Sequence, residues 1–298
     1  MDDQLQLLLG EPVADVEEEA FILFSQAIPS QSLGFLDSQA SVVNVTVAGR
    51  DLSIHQSRGL LTSDRSAGTT GAVVWKVTPF FAEWIASSAF LARAGYLTPD
   101  ATAIELGAGV SGIVALTLGP RIRKYIATDQ DYVIRLLKQN IAENLPGTSS
   151  KTGTKKSKNK QKRPLATSKT STSNIETLEL DWELDSIASL PSLLGQDRAD
   201  SANDSDGVDL VIACDCIYND ALIEPLNTTC AQICRLRSDE NRQPTLCLIA
   251  QQLRSPEVFE EWLKSFHRMF HVWRVPDELL TEPLRENSGF VVHVGVLR

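Results

Sequence analysis

A glycine-rich turn constrains the fold of this chain more than any other feature of its sequence. The apolar run at positions 101–106 leads into Glu-Leu-Gly-Ala-Gly-Val-Ser-Gly at positions 105–112, and a helical pattern begins at Ser111. Gly107 and Gly109 allow a tight turn and a close approach of the backbone to a ligand, and Gly112 allows the helix to pack near the strand. The turn therefore predicts the ligand-binding junction between the first strand and helix of an open α/β sheet.

The rest of the chain alternates between strand and helix patterns. Strands are predicted at 42–47, 52–55, 101–106, 124–128, 175–180, 208–213, 245–250, 271–275 and 290–297. Helices are predicted from Ser111, at 131–145, 184–194 and 221–236, after Thr78-Pro79, and from Ser255-Pro256 to about His267. This order predicts a Rossmann-like α/β fold with a mainly parallel sheet, an antiparallel pair at its C-terminal edge and an N-terminal hairpin.

Composition narrows the class of protein. Among 298 residues no apolar run approaches the ~20 needed to span a bilayer. The first residues lack the basic stretch of a secretory signal, so we expect a cytoplasmic protein that also has access to the nucleus. Five scattered cysteines indicate reduced, buried thiols, and with only four histidines the metal-ligand spacings are missing, so no metal site is predicted.

Charge is distributed unevenly along the chain. Residues 147–173 contain no acid and eight basic residues, all between 151 and 169, and we predict a disordered insertion there. A solvated loop is the favoured interpretation of this insertion, and a nuclear address or an RNA contact is the alternative. A second polar loop is predicted at 196–207. The net charge of the whole chain is −10, so the remainder is strongly acidic and favours a basic protein partner over nucleic acid.

An acidic residue follows the next strand and points to a nucleoside ligand. Asp129 ends the strand at 124–128, where its carboxylate can accept hydrogen bonds from ribose hydroxyls. This arrangement fits an NAD site as well as an S-adenosylmethionine site. Glu105 favours the second, because a carboxylate before the first glycine can meet an α-ammonium group that a dinucleotide lacks. Two further features favour S-adenosylmethionine over NAD. The chain ends in an antiparallel strand pair, and the glycine-rich turn begins beyond residue 100.

Four motifs together resemble a known family. They are positions 105–112, Asp129, Asp181-Trp182 and Asp215-Cys216-Ile217-Tyr218. In this order they resemble the class I, seven-β-strand methyltransferases, and more narrowly the protein-lysine methyltransferases of family 16. The segment 71–75 also matches, whereas Val110 and Ser111 depart from the glycine pattern of the wider class. The lysine-rich insertion and the segment 21–24 are similar to the fungal ribosomal lysine N-methyltransferase 5 group.

The resemblance implies an activity and a set of site residues. It implies an S-adenosylmethionine-dependent lysine N-methyltransferase that acts, as a monomer, on a basic, large-subunit ribosomal protein. Residues 1–70 would form an N-terminal extension and residues 71–298 the methyltransferase domain. The implied cofactor-binding residues are Trp75, Glu105, Gly107, Gly109, Asp129, Asp181, Trp182 and Ala213. Asp215 and Tyr218 are the implied catalytic residues, the first orienting the incoming lysine ammonium and the second shaping its channel.

Three other functions stay open on the sequence alone. An NAD-dependent oxidoreductase would need a proton donor such as Tyr-x-x-x-Lys near the site, and the sequence has no such pair. A binding module without activity would be expected to have lost Glu105, Asp129 or Asp215, and all three are present. A methyltransferase acting on RNA or on a small molecule is the third alternative; the N6-adenine type would carry a proline motif where Asp215–Tyr218 stands.

Overall fold

The structure is a computed structural model that describes residues 3–30, 33–63, 69–145, 174–185, 187, 190, 207–237 and 243–298. The predicted basic insertion at 147–173 lies outside the described residues. So do nearly all of the predicted polar loop at 196–207 and most of the predicted helix at 184–194.

A seven-stranded sheet forms the centre of the molecule, and a separate hairpin packs beside it. The strands are β1 (Val42–Val47), β2 (Arg50–His55), β3 (Thr102–Leu106), β4 (Lys124–Asp129), β5 (Ile175–Glu179), β6 (Leu210–Cys214), β7 (Leu246–Gln252), β8 (Phe270–Arg274) and β9 (Phe290–Leu297). The sheet order is β5-β4-β3-β6-β7-β9-β8. Strands β3 to β7 run parallel, and β9 lies antiparallel to both of its neighbours. The predicted α/β sheet, antiparallel edge and hairpin are confirmed.

Helices cover both faces of the sheet. They are α1 (Asp3–Leu9), α2 (Val16–Phe24), α3 (Arg58–Leu61), α4 (Val77–Ser87), α5 (Ala89–Arg93), α6 (Ile113–Leu118), α7 (Asp131–Asn144), α8 (Ile223–Cys234) and α9 (Pro256–Met269). The hairpin and helices α1, α4, α5, α6 and α7 bury their apolar side chains on one face. Helices α2, α8 and α9 cover the other. This three-layer arrangement removes both faces of the central strands β3, β6 and β7 from water, which is why those strands are mostly apolar.

The two N-terminal helices were not predicted from the sequence. Helix α1 buries Leu5 and Leu9 in the core, and the Trp273 indole donates a hydrogen bond to the Gly10 carbonyl, 3.0 Å away. Helix α2 begins after Asp15, whose side chain accepts from the backbone of its first turn. Its Glu19 is buried against His293 of β9 with an O–N distance of 3.1 Å. Contacts to the far end of the chain therefore fix both helices on the sheet.

Two local predictions need correction, while the cap of α9 is confirmed. Helix α4 begins at Val77 and follows Lys76, so Thr78 is a buried residue of its first turn and not the cap. Gly112 faces Leu137 and Ile141 of helix α7, so the close approach that it permits is to a helix and not to the neighbouring strand. Ser255 caps α9 as predicted, with its hydroxyl accepting from the Val258 N–H.

The cysteines are buried and unpaired. All five are free thiols within the core layers or at their edge. Over the described ranges, no three histidine, cysteine, aspartate or glutamate side chains are grouped so that they could hold a metal ion. In the same part of the chain no helix combines the length and apolarity that crossing a membrane requires.

Candidate functional site

A cavity opens at the carboxyl ends of β3, β4 and β6. This is where the strand order changes direction, since β4 lies on one side of β3 and β6 on the other. Ligands bind at such a point in open α/β sheets. The residues predicted from sequence that line the cavity are Trp75, Glu105, Gly107, Gly109, Asp129, Asp181, Trp182, Asp215 and Tyr218. Ala213 is the exception: it is buried inside β6, and the next residue, Cys214, lines the cavity instead.

The glycine turn is held in place by Asp129. The Gly109 N–H donates to one carboxylate oxygen of Asp129 at 2.7 Å, and the Gln130 N–H donates to the other at 2.8 Å. Gly107 and Gly109 have φ angles of 68° and 59°, which residues other than glycine rarely adopt. Burial raises the pKa of Asp129 to about 6, although both hydrogen bonds act to lower it. The carboxylate thus faces the cavity already oriented by the turn.

Glu105 is a buried carboxyl group with one strong partner. It is 2% exposed, and its Oε2 accepts a hydrogen bond from the Tyr125 hydroxyl at 2.8 Å. Burial raises the pKa of Glu105 to about 7; the bond from Tyr125 lowers it and the charge of Asp129 raises it further. Glu105 is therefore near half-protonation at neutral pH. A cation arriving beside it would favour the ionised form.

Two residues that follow β5, Asp181 and Trp182, form another wall of the cavity with a carboxylate and an aromatic ring. The Trp182 ring packs on the turn so closely that a Cβ at Gly107 would lie 3.2 Å from it. The Trp182 indole N–H is buried and has no hydrogen-bond partner among the described residues. Asp181 accepts from the Gln130 amide at 3.1 Å and from the Glu183 N–H at 2.9 Å. This wall offers one stacking surface, one unused donor and one acceptor.

The remaining end of the cavity is built around Asp215. Its side chain is 0% exposed, and its two oxygens accept from the Arg254 guanidinium at 2.7 and 2.6 Å. The Arg254 guanidinium carbon lies 4.9 Å from the centre of the Trp75 ring, which also contacts the Phe35 ring with 4.7 Å between their centres. Asp215 has a φ of 61°, an unusual backbone conformation for a residue with a side chain. An ion pair stacked on an indole therefore fixes this carboxylate.

Tyr218 forms the rim beside this ion pair. The residue is 40% exposed, and its hydroxyl is hydrogen-bonded to Thr70. Burial of the ring raises the pKa of Tyr218, and the bond to Thr70 lowers it. The phenol consequently stays protonated at neutral pH. Thr70 also accepts, through its carbonyl, from the Trp75 indole at 3.1 Å, so one short segment holds both aromatic side chains.

Three contributors to the site were missed in the sequence. Arg254 follows β7 at the same sheet edge as Asp215, a position that could have suggested a partner. Tyr125 lies near the start of β4 and on the same face as Glu105, a register that only the strand pairing reveals. Gln130 follows Asp129 and bridges it to Asp181. None of the three belongs to a sequence motif. Arg254 and Tyr125 contact residues that are distant in the chain, and Gln130 contacts Asp129 and Asp181, which belong to motifs of their own.

Comparisons with known proteins agree with this geometry. A family model described as lysine methyltransferase matches residues 54–166. The ribosomal lysine N-methyltransferase 5 of Vanderwaltozyma polyspora is 30% identical over 89% of this chain and 90% of its own length. A Schizosaccharomyces pombe protein named diaminohydroxyphosphoribosylamino-pyrimidine deaminase is 28% identical over 87% of this chain. The chain spans only 53% of the length of that protein.

A solved structure with a related arrangement is a 16S rRNA N2 G1207 methyltransferase of Thermus thermophilus. Its TM-score is 0.47 at 10% identity, over 86% of this chain and 50% of that protein. The match to the Vanderwaltozyma polyspora relative, in contrast, runs over nearly the whole length of both chains. The chain therefore belongs to the S-adenosylmethionine-dependent lysine methyltransferases, in the family of the ribosomal lysine N-methyltransferases 5.

Proposed function

We propose that this protein methylates a lysine of a large-subunit ribosomal protein, and that the cavity residues named above bind the cofactor and the lysine. One observation carries the proposal. A single cavity joins a carboxyl group suited to a cation (Glu105), a carboxylate suited to a ribose (Asp129) and a rim formed by Asp215 and Tyr218. The name of the yeast relative supports the ribosomal substrate. The acidic net charge of −10 supports a basic protein as the partner.

The residues present fit S-adenosylmethionine. Side chains at Gly107 and Gly109 would fill the space beside the turn, with contacts of 2.7 Å to Cys216 Sγ and 3.2 Å to the Gly71 carbonyl. The N–H of Trp182 is buried and has no hydrogen-bond partner among the described residues. A ligand that accepts a hydrogen bond from it would satisfy this group. When bound, the cofactor supplies a methyl group on a positively charged sulfur.

Each cofactor-facing residue takes a separate role in this proposal. Asp129 accepts from the ribose hydroxyls, while Glu105 meets the α-ammonium group. Asp181 and Trp182 contact the adenine, the first through its carboxylate and the second through its ring. Trp75 lines the methionine end. The glycine turn and the backbone near Ala213 close the remaining sides, with Cys214 as the cavity-lining member of that strand end.

The chain's part in methyl transfer is to orient the lysine and to ease loss of its proton. A lysine has an unperturbed pKa of ~10.4, so forming its neutral amine at pH 7 costs roughly 4–5 kcal/mol without help. Removal from water in the cavity lowers this cost. Tyr218 is protonated at neutral pH and serves as a wall and hydrogen-bonding group, not as a base. Asp215 orients the ammonium together with Arg254, to which it is already paired.

The direct test is calorimetric titration of the purified protein with S-adenosylhomocysteine and, separately, with NADH. We expect micromolar binding of the first and no binding of the second. Salt-washed large ribosomal subunits from cells lacking this protein, incubated with labelled S-adenosylmethionine, are then expected to gain label on one protein. Binding of NADH alone, or of neither ligand, would contradict the cofactor assignment. Binding without labelled protein would contradict the ribosomal substrate only.

Cofactor affinity is expected to rise with pH between 6 and 8. The pKa of Glu105 is about 7 and that of Asp129 about 6, both raised by burial, so a fraction of each group is protonated at pH 6. Binding of a cation requires the ionised form of Glu105, so affinity is gained as pH rises through its pKa. The gain is about tenfold. Titrations at pH 6, 7 and 8 measure it, and the Glu105→Gln variant is expected to lose most of this pH dependence.

A further inference from the structure

Arg254 contacts Asp215 and Trp75 at the end of the cavity that is built around Asp215, but it does not line the cavity itself. Its guanidinium makes two hydrogen bonds to Asp215 and a third, at 3.2 Å, to the Leu33 carbonyl. Its guanidinium carbon lies over the Trp75 ring. Arg254 therefore reaches the acceptor lysine only through the side chains of Asp215 and Trp75, and it belongs to none of the sequence motifs.

The environment of Arg254 is built closely around it. A Cβ at Gly34 would lie 2.5 Å from Arg254 Nη2, so the segment that carries Gly34 passes directly over the guanidinium. That segment pairs with the stretch around Trp75, through Phe35. The Gln252 side-chain oxygen accepts from the same nitrogen at 3.2 Å. These groups are themselves held by the fold, so the arginine has a fixed position behind the cavity wall.

The ion pair has a consequence for the chemistry at the cavity. An unpaired carboxylate at position 215 would attract the lysine ammonium and stabilise its protonated form, which cannot accept a methyl group. A carboxylate that is already matched by a guanidinium still accepts a directed hydrogen bond but exerts a much weaker net field. The other ionisable side chains that line the cavity are Glu105, Asp129, Tyr132, Asp181, Glu183, Cys214, Cys216 and Tyr218.

We propose that Arg254 is a positioning residue that neutralises and orients Asp215, so that the acceptor lysine is guided into the cavity without being held in its protonated form. This inference rests on the proposed lysine methyltransferase function. It assigns Arg254 a part in setting the working pH of the enzyme, beyond any part in stability. It also explains why a fully buried carboxylate stands at the place where a cationic substrate must lose a proton.

The test is the pH dependence of methyl transfer by the Arg254→Gln variant. Initial rates are measured from pH 6.5 to 9.5 with saturating S-adenosylmethionine and salt-washed large ribosomal subunits. Because the substrate lysine becomes the counter-ion of Asp215, we expect KM for the subunits to fall and kcat at pH 7 to decrease about tenfold. The rising limb of the kcat profile is expected to move by about one pH unit to higher pH, which restores the rate there.

Three further variants separate this effect from damage to the fold. Arg254→Lys keeps the positive charge and is expected to keep the wild-type position of the profile. The double variant Asp215→Asn with Arg254→Gln removes both charges and is expected to bring the profile back towards the wild type at a lower rate. Arg268→Gln removes an arginine from an exposed pair with Glu224, outside the cavity, and should change neither quantity.

The outcomes distinguish the inference from the function on which it rests. If the wild type transfers methyl groups and Arg254→Gln lowers kcat equally at every pH, Arg254 has only a structural role and the inference fails. If the wild type transfers no methyl group to the subunits, the proposed function itself fails. Calorimetric binding of S-adenosylhomocysteine by each variant reports whether the cofactor pocket has stayed intact.

Discussion

Replacing Asp129 with alanine is expected to weaken the binding of S-adenosylhomocysteine by about 100-fold or more. The carboxylate has two functions in the proposed complex. It holds the glycine turn through the Gly109 N–H at 2.7 Å, and it faces the cavity where a ribose is expected. Hydrogen bonds to charged groups contribute roughly 1.5–3 kcal/mol each, so losing two from the ribose is enough for a change of this size. Calorimetric titration at pH 8 measures the loss.

Two companion variants locate the effect of Asp129. Asp129→Asn retains one acceptor oxygen and the size of the side chain, so its affinity is expected to fall between those of the wild type and the alanine variant. Glu179 of β5 pairs with Asp129 but is exposed and outside the cavity, so Glu179→Gln is expected to bind as the wild type does. Wild-type affinity in Asp129→Ala would remove the ribose role and with it the main argument for a nucleoside ligand.

The parts of the site that the sequence predicted share one property. Glu105, Asp129 and Asp215 each stand at the carboxyl end of an apolar run, and the topology of parallel strands brings such ends to one edge. The position of a residue directly after a parallel strand therefore predicts its location at this edge of the sheet. The glycine turn is informative for the same reason, since its backbone conformation is a local property. Where a residue's role follows from its place after a strand, the sequence alone is sufficient to place it.

The parts that were missed depend on the pairing of distant segments. The role of Arg254 follows from its contacts with the side chain of Asp215, 39 positions earlier, and with the Trp75 ring. The N-terminal helices are fixed by contacts such as that of Glu19 with His293, across 274 positions. Both helices are short, with seven and nine residues, so neither contains enough turns for a helical period to stand out in the sequence. The cap assigned to Thr78 failed because Ser, Thr and Pro patterns mark helix starts only to within a residue or two.

Asp215 combines a feature that could be predicted from the sequence with one that could not. Its position after β6 was predicted, and its pairing with Arg254 was not. The prediction from sequence was that Asp215 orients the incoming lysine ammonium, and it named no partner for the carboxylate. With the guanidinium bound to both oxygens, the proposed role becomes orientation by a neutralised pair. The role of a motif residue thus depends on a partner that the motif does not contain.

Replacing Gly112 with alanine is expected to lower the free energy of unfolding by about 2–5 kcal/mol. Gly112 precedes helix α6 with a φ of 59°, a conformation that costs L-residues roughly 1–2 kcal/mol. A Cβ there would also lie 2.8 Å from Ile141 and 3.0 Å from Leu137 of α7, and overpacking of this kind costs about 1–3 kcal/mol. Both neighbours are in the core, so neither can move freely. Urea denaturation followed by circular dichroism measures the change.

Two other glycines separate conformational strain from steric conflict. Gly49 in the hairpin turn has a φ of 71°, but a Cβ added there would have no atom within 4 Å, so Gly49→Ala is expected to lose only the ~1–2 kcal/mol of strain. Gly59 has neither constraint, so Gly59→Ala is expected to be near neutral. If Gly112→Ala were no more destabilising than Gly49→Ala, the contact with α7 would not be tight. The close packing of α6 on α7 behind the glycine turn would then have to be reconsidered.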